Sequence, residues 1–206
     1  VTHAKGLQFN QDELERFAET VEHAGEKKGC LLVQLPPSVK SDLREELEGI
    51  LEYLRGDAKG WRIAVEFRDN SWYNSTVYRM LQNFGAGMVE QDMPKAPTPQ
   101  VTIAEDFGYL RFHGPDGDYR GSYDEAFLLG QAMRIAAWIK EGREVYVYFN
   151  NTAGEAFENL QTLNAMFNPH HEAICKQQHP HCSTCFHPLP ICTGNDLGQL
   201  HPPKIN

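Results

Sequence analysis

No apolar run in this 206-residue chain approaches the length of a membrane span, and its amino end carries no charged, then apolar, then small-residue signal pattern. The expected compartment is therefore the cytoplasm. Cysteine is nearly absent from the body: of five, only Cys30 lies outside the last stretch, which excludes a disulfide framework for the core. No glycine-rich phosphate fingerprint follows any strand, which weakens a dinucleotide or P-loop reading. HxH and HExxH spacings are missing too, so no metal-ligand set is fixed in advance and no cofactor is named. Positive charge is in the minority, with 19 Lys and Arg against 28 Asp and Glu and a net charge of -9. That balance argues against indiscriminate binding to nucleic acid or anionic membranes, while leaving room for a local basic pocket.

What the chain does hold is alternation. With 41% hydrophobic residues, it is long enough to bury one sizeable core. Asn10 and Glu13 form a capping-box pattern ahead of Leu14, Phe17, Val21 and Ala24, which predicts a helix over 10–28. Strand 30–35 follows and stops at Pro36-Pro37. Ser38 or Ser41 is placed to cap a helix striped by Leu43, Leu47, Ile50, Leu51 and Leu54. Strand 62–68 comes next, then a short helix from Asn74, a strand at 87–90 ending near Asp92, a brief candidate pairing at 101–104, and a firm strand at 108–113. Ser122 with Glu125, and Thr152 with Glu155, read as capping boxes on either side of a last strand at 144–150. Strands separated by helix-length crossovers imply a parallel sheet with right-handed connections.

Side-chain phase distinguishes the two parallel architectures. One phase is apolar: Val33, Leu35, Ile63, Val65, Phe67, Leu110, Phe112, Val145, Val147 and Phe149. The other gathers polar groups toward one end, with Gln34, Glu66, Arg68, Glu90, Asp92, Arg111, His113, Tyr148 and Asn150. A helix-facing phase and an inward phase that turns polar at the carboxyl ends fit a (β/α) barrel. Five strands cannot close a barrel of eight, so the expected fold is an incomplete (β/α) TIM-type barrel over 1–167. The rest, 168–206, reads as an irregular tail with six of the nine histidines, six of the twelve prolines and no apolar pattern. Its Cys182-x-x-Cys185, near Cys175, His187 and Cys192, has the spacing of half a zinc site.

Four groups of residues, Leu32-Val33-Gln34-Leu35-Pro36, Glu66-Phe67-Arg68 with Ser71-Trp72, Arg111-Phe112-His113-Gly114 with Tyr119, and Tyr148-Phe149-Asn150-Asn151 with Ala156 and Asn159, resemble the YecE-like family, domain of unknown function 72. The resemblance runs in order from about Thr2 to about Phe167. It implies a (β/α) barrel in which this sequence begins at the end of the third strand. Strands 30–35 and 144–150 would then be exposed edges, with Leu32, Tyr146 and Tyr148 uncovered on the inner face. Asp69 stands where many members are expected to carry histidine, and the family supplies no established reaction.

The candidate catalytic residues are Glu66, Asp92 and His113, the carboxylates as base or ligand and the histidine as acid or base. Gln34, Arg68, Trp72, Arg111, Tyr119, Asn150 and Asn151 are the candidate substrate-binding residues. Arg111 and His113 share one face and call for anionic company, such as a substrate phosphate or carboxylate. Glu66 with Arg68 is equally read as an internal salt bridge, and Asn159 as a satisfied buried amide. Three functional readings stay open. One is an enzyme acting on a small anionic or polyhydroxylated substrate, with metal-assisted hydrolysis as one form of it. The others are a non-catalytic module for a phosphorylated ligand or nucleic-acid end, and an inactive fragment.

Overall fold

The computed structural model describes residues 2, 4–57, 60–104, 106–167 and 204–205. The chain divides into two compact units, Val1–Leu110 and Arg111–Asn206. It is an α/β protein with parallel strands in two sheets, and among the described residues neither sheet closes into a barrel.

The first unit opens with helix α1 (Gln11–Glu22), whose start is fixed by the Asn10 side chain accepting from the Asp12 amide. The predicted extension to residue 28 does not form. The chain instead passes through Gly25, in the left-handed region at φ 56°, into a single 3-10 turn. Strand β1 (Cys30–Gln34), helix α2 (Arg44–Asp57), strand β2 (Arg62–Glu66), helix α3 (Ser75–Phe84) and strand β3 (Ala86–Met88) follow. Neither Ser38 nor Ser41 caps α2: Ser41–Leu43 is itself a 3-10 turn leading into the helix, without a side-chain cap. Asn74 does cap α3, accepting from the Thr76 and Val77 amides.

β2 lies between β1 and β3, parallel to both, with Gln34 in register with Glu66 and Val65 with Met88. The apolar phase predicted from sequence is buried, and in β2 Ala64 and Glu66 of the other phase are buried as well. Val33, Leu35, Ile63, Val65 and Phe67 pack with Leu47, Ile50, Leu51 and Leu54 of α2 and Val77, Met80 and Leu81 of α3 in one core. Strand pitch puts every second side chain on the helix-covered face, so the polar phase is carried to the opposite side. Leu32, on that side, is 36% exposed.

The second sheet has the order β4 (Glu90–Gln91), β5 (Phe107–Phe112), β6 (Glu144–Phe149), β7 (Lys204–Ile205). No strand forms at 101–104. Helix α4 (Glu125–Lys140) connects β5 to β6, and helix α5 (Ala156–Met166) follows β6. Two predicted caps do not form. Asp124, rather than Ser122, caps α4 by accepting from the Phe127 amide, and α5 starts at Ala156 with no side-chain cap from Thr152 or Glu155.

The expected second edge also fails. β6 pairs in parallel with β7, Tyr146 opposite Lys204 and Val147 opposite Ile205, and Tyr146 is only 1% exposed. The tail predicted to be irregular thus supplies a strand partner. The remainder of that tail, including the half zinc site, lies outside the described residues. No helix among the described residues is long and apolar enough to cross a membrane.

Candidate functional site

In the first unit, the carboxyl end of β2 holds a buried ion pair. Glu66 is fully enclosed, and its carboxylate Oε1 is paired with Nε of Arg68, whose side chain is also nearly buried. Around the pair, two side chains clamp the loops that leave the strands. Gln91 donates through Nε2 to the carbonyls of Phe67 (2.9 Å) and Ala96 (2.8 Å). The Tyr73 hydroxyl lies 3.0 Å from the Ala96 carbonyl and 3.3 Å from that of Phe67. Burial pushes the Tyr73 phenol above its ordinary value. The Glu66 charge adds to the rise, while hydrogen bonds with Thr98 and Gln91 and the Arg68 charge oppose it, so Tyr73 stays protonated at neutral pH. Gln34 and Asp92 are half-buried.

In the second unit, Asn150 just beyond β6 is bound to the end of β5 twice. Its amide donates to the Phe112 carbonyl (2.6 Å), and its Oδ1 accepts from Arg111 Nε (3.3 Å). These bonds set the carboxyl ends of the two strands side by side. His113, one residue past β5, is fully buried, with the Tyr119 ring edge-on at 5.5 Å. Tyr119 is 42% exposed and sits in the left-handed region at φ 66°, rare for a non-glycine residue. Two hydrogen bonds hold it there: its amide donates to the His113 carbonyl (2.7 Å), and its carbonyl accepts from the Ala153 amide (3.0 Å). Strained backbone maintained in this way clusters at functional sites.

The scaffold under this loop is a closed set of amides. Asn159 Oδ1 accepts from the Tyr123 amide (3.2 Å) and from Asn151 Nδ2 (3.0 Å), while its Nδ2 donates to Ser122 Oγ (2.9 Å). The Tyr123 hydroxyl accepts from the Gly114 amide (2.6 Å), and its ring stacks on Phe127 at 4.5 Å.

The family model described as protein of unknown function DUF72 matches residues 1–183. The chain belongs to the DUF72 family. A solved DUF72 family protein from Thermotoga maritima is 30% identical, with a TM-score of 0.62, over 75% of this chain and 63% of that one. Two structures of a DUF72 family protein from Enterococcus faecalis are 22% and 23% identical, each with a TM-score of 0.64. They cover 76% and 77% of this chain, and 66% and 70% of theirs. The chain thus spans slightly under two thirds of the length of the first two. No curated protein matches it.

Within this DUF72 chain, two residues expected to contact substrate are fully buried and bonded to the protein itself. Trp72 is fully buried, stacked on Phe67 at 4.9 Å, with its Nε1 donating to the Val39 carbonyl at 2.9 Å. Asn151 is fully buried, with Nδ2 donating to the Gly121 carbonyl and Asn159. Among the described residues, no group of three or more His, Cys, Asp or Glu side chains is arranged to hold a metal ion. A surface cavity of about 310 Å³ lies elsewhere, lined by residues such as Ser41, Glu45, Asn74 and Thr76, with none of the candidates on its wall.

Sequence reasoning missed Gln91 and Tyr73. The available signal was a glutamine just ahead of the proline-rich loop at 94–99, since a polar side chain drawn into a core must find partners. Asp69, at the position of the expected histidine, caps the 3-10 turn Asn70–Trp72 by accepting from the Ser71 amide at 2.9 Å. That bond, then one from the Ser71 hydroxyl, holds its carboxyl below the usual range. A depressed folded-state value contributes stability above about pH 4 that is lost as pH falls through the folded value. Asp69→Asn keeps the cap but removes the titration, so it is expected to flatten the acid limb of stability, measured by thermal unfolding from pH 6 to pH 2.5.

Proposed function

We propose that this chain is an enzyme acting on a small anionic or polyhydroxylated substrate at the carboxyl ends of β5 and β6. Arg111 and Asn150 hold the substrate, Tyr119 covers it and His113 transfers the proton. The observation that carries this reading is the Arg111 guanidinium, half-buried and oriented through Nε by Asn150 at the adjoining ends of two neighbouring strands. Arginine is the side chain suited to bidentate recognition of carboxylate or phosphate. The strands are proposed to belong to a (β/α) barrel, whose chemistry gathers at the carboxyl ends. The strand–helix alternation supports that architecture. Glu66 with Arg68 is assigned the structural role, and the proposal invokes no metal.

A second reading, a binding module without turnover, is favoured by one fact: His113 is fully enclosed. Screening sugar phosphates, sugar acids and polyols for thermal shift and turnover, with and without divalent metal, separates the two. Arg111→Ala is expected to weaken affinity or kcat/KM by roughly 10- to 100-fold, the loss of a charge-assisted hydrogen bond. His113→Asn is expected to lower turnover about 100-fold or more while sparing binding. Binding without turnover of any compound would select the module, and a ligand indifferent to Arg111→Ala would defeat both readings.

A further inference from the structure

Helix α4 carries an apolar stripe on the face away from its core. At 100° per residue, Ala126, Leu129, Gly130, Met133 and Ala137 fall on one side, all exposed, while Leu128, Ala132 and Ile135 are buried on the other. Leu129 and Met133 are each 39% exposed. A surface helix ordinarily presents charge to solvent, as α2 does with Glu45, Glu52 and Arg55. Arg134 is the one charged residue between Glu125 and Lys140, and its guanidinium lies over the Trp138 ring at 4.5 Å. A Cβ built on Gly130 meets nothing within 4 Å, so the middle of the stripe is open to close approach.

We propose that this face is where a second copy of the chain docks, α4 against α4, antiparallel about a two-fold axis near Met133. The distribution of charge and side-chain size selects that partner. Acidic Asp124 and Glu125 stand exposed at the amino end, and Lys140 stands exposed at the carboxyl end in line with the stripe. In an antiparallel pair, each acidic end meets the other copy's lysine, and opposed helix dipoles add to the attraction. Glu141, also exposed at the carboxyl end, is already paired with Arg143 at 2.9 Å. With Met133 near the axis, Leu129 of each copy faces Ala137 of the other, large against small. A two-fold contact of this kind is self-complementary by construction. One helix face per partner is at the small end of protein interfaces, below about 1,200 Å² in total, so the dimer is weak and concentration-dependent.

Sedimentation of the full chain from about 1 to 200 μM is expected to show monomer converting to dimer, an interval that brackets the micromolar affinity of a small interface. Met133→Glu should raise the dissociation constant at least tenfold with unchanged circular dichroism. Lys140→Glu should weaken the dimer, and adding Glu125→Lys to it should restore it. Met133→Cys, close to the axis, should give a disulfide-linked dimer on oxidation. A chain that stays monomeric at 200 μM overturns the proposal, and so does a dimer that Met133→Glu and Lys140→Glu leave intact.

Discussion

Arg68→Met is expected to destabilise the first unit by about 3–5 kcal/mol, the cost of leaving a buried carboxylate without its cation. Glu66 has no solvent exposure, and the Arg68 side chain beside it is 7% exposed, so water cannot take over the guanidinium's role. A loss of that size is a large part of the 5–15 kcal/mol that holds a typical domain together. Adding Glu66→Gln removes the stranded charge, and the double variant is expected to recover most of the loss. Urea unfolding at pH 7 reports it through Trp61 and Trp72, both in the first unit, with Trp138 as an internal reference in the second. If Arg68→Met stays within 1 kcal/mol of the parent, the pair is not the enclosed one described here.

Gly114→Ala is the second large effect, about 3 kcal/mol or more, and it also strikes the proposed site. Gly114 sits at φ +98°, and a Cβ there would run into the backbone carbonyl oxygen of Arg120. Left-handed strain alone costs about 1–2 kcal/mol for an alanine. The collision adds to it, because the obstacle is backbone and the loop is pinned on both sides. Gly114 donates to the Tyr123 hydroxyl and its carbonyl accepts from the Gly117 amide at 2.8 Å. Relief by shifting the loop would displace Tyr119 from His113, so ligand-induced thermal shift should vanish along with the stability. Gly142→Ala is the control: φ is +86° and nothing lies within 4 Å of the added Cβ, so it carries strain without collision. Equal losses in the two variants would refute the packing account of Gly114.

Much of the scaffold was legible in the order of residues. Val33, Val65 and Phe67 were assignable to the helix-covered face because strand pitch alternates side chains whatever the surroundings. Asn10 was a recognisable cap because a cap bonds amides two or three residues away. Ser122 was misread because its hydroxyl is taken by Asn159, 37 residues on, and Asp124 caps in its place. The candidate site was legible only as a set of residue types. Asn150 and Asn151 are neighbours of identical chemistry, yet one meets Arg111 and the other is sealed against Gly121 and Asn159. Trp72 near a loop resembled a pocket wall until Phe67 was seen stacked on it.

The sequence by itself determined the alternation of strands and helices through β6 and the apolar phase of β1 and β2. These follow from backbone periodicity and from interactions within a few residues. Only the tertiary structure decided that Arg111 is oriented by Asn150, that Tyr119 is held against His113, and that β6 is paired by a strand almost sixty residues further along. The Arg111–Asn150 bond and the β6–β7 pairing join segments far apart in the chain, and Tyr119 is held by Ala153 as well as by His113, so the entropy of closing the intervening loops is set by the whole fold rather than by local sequence.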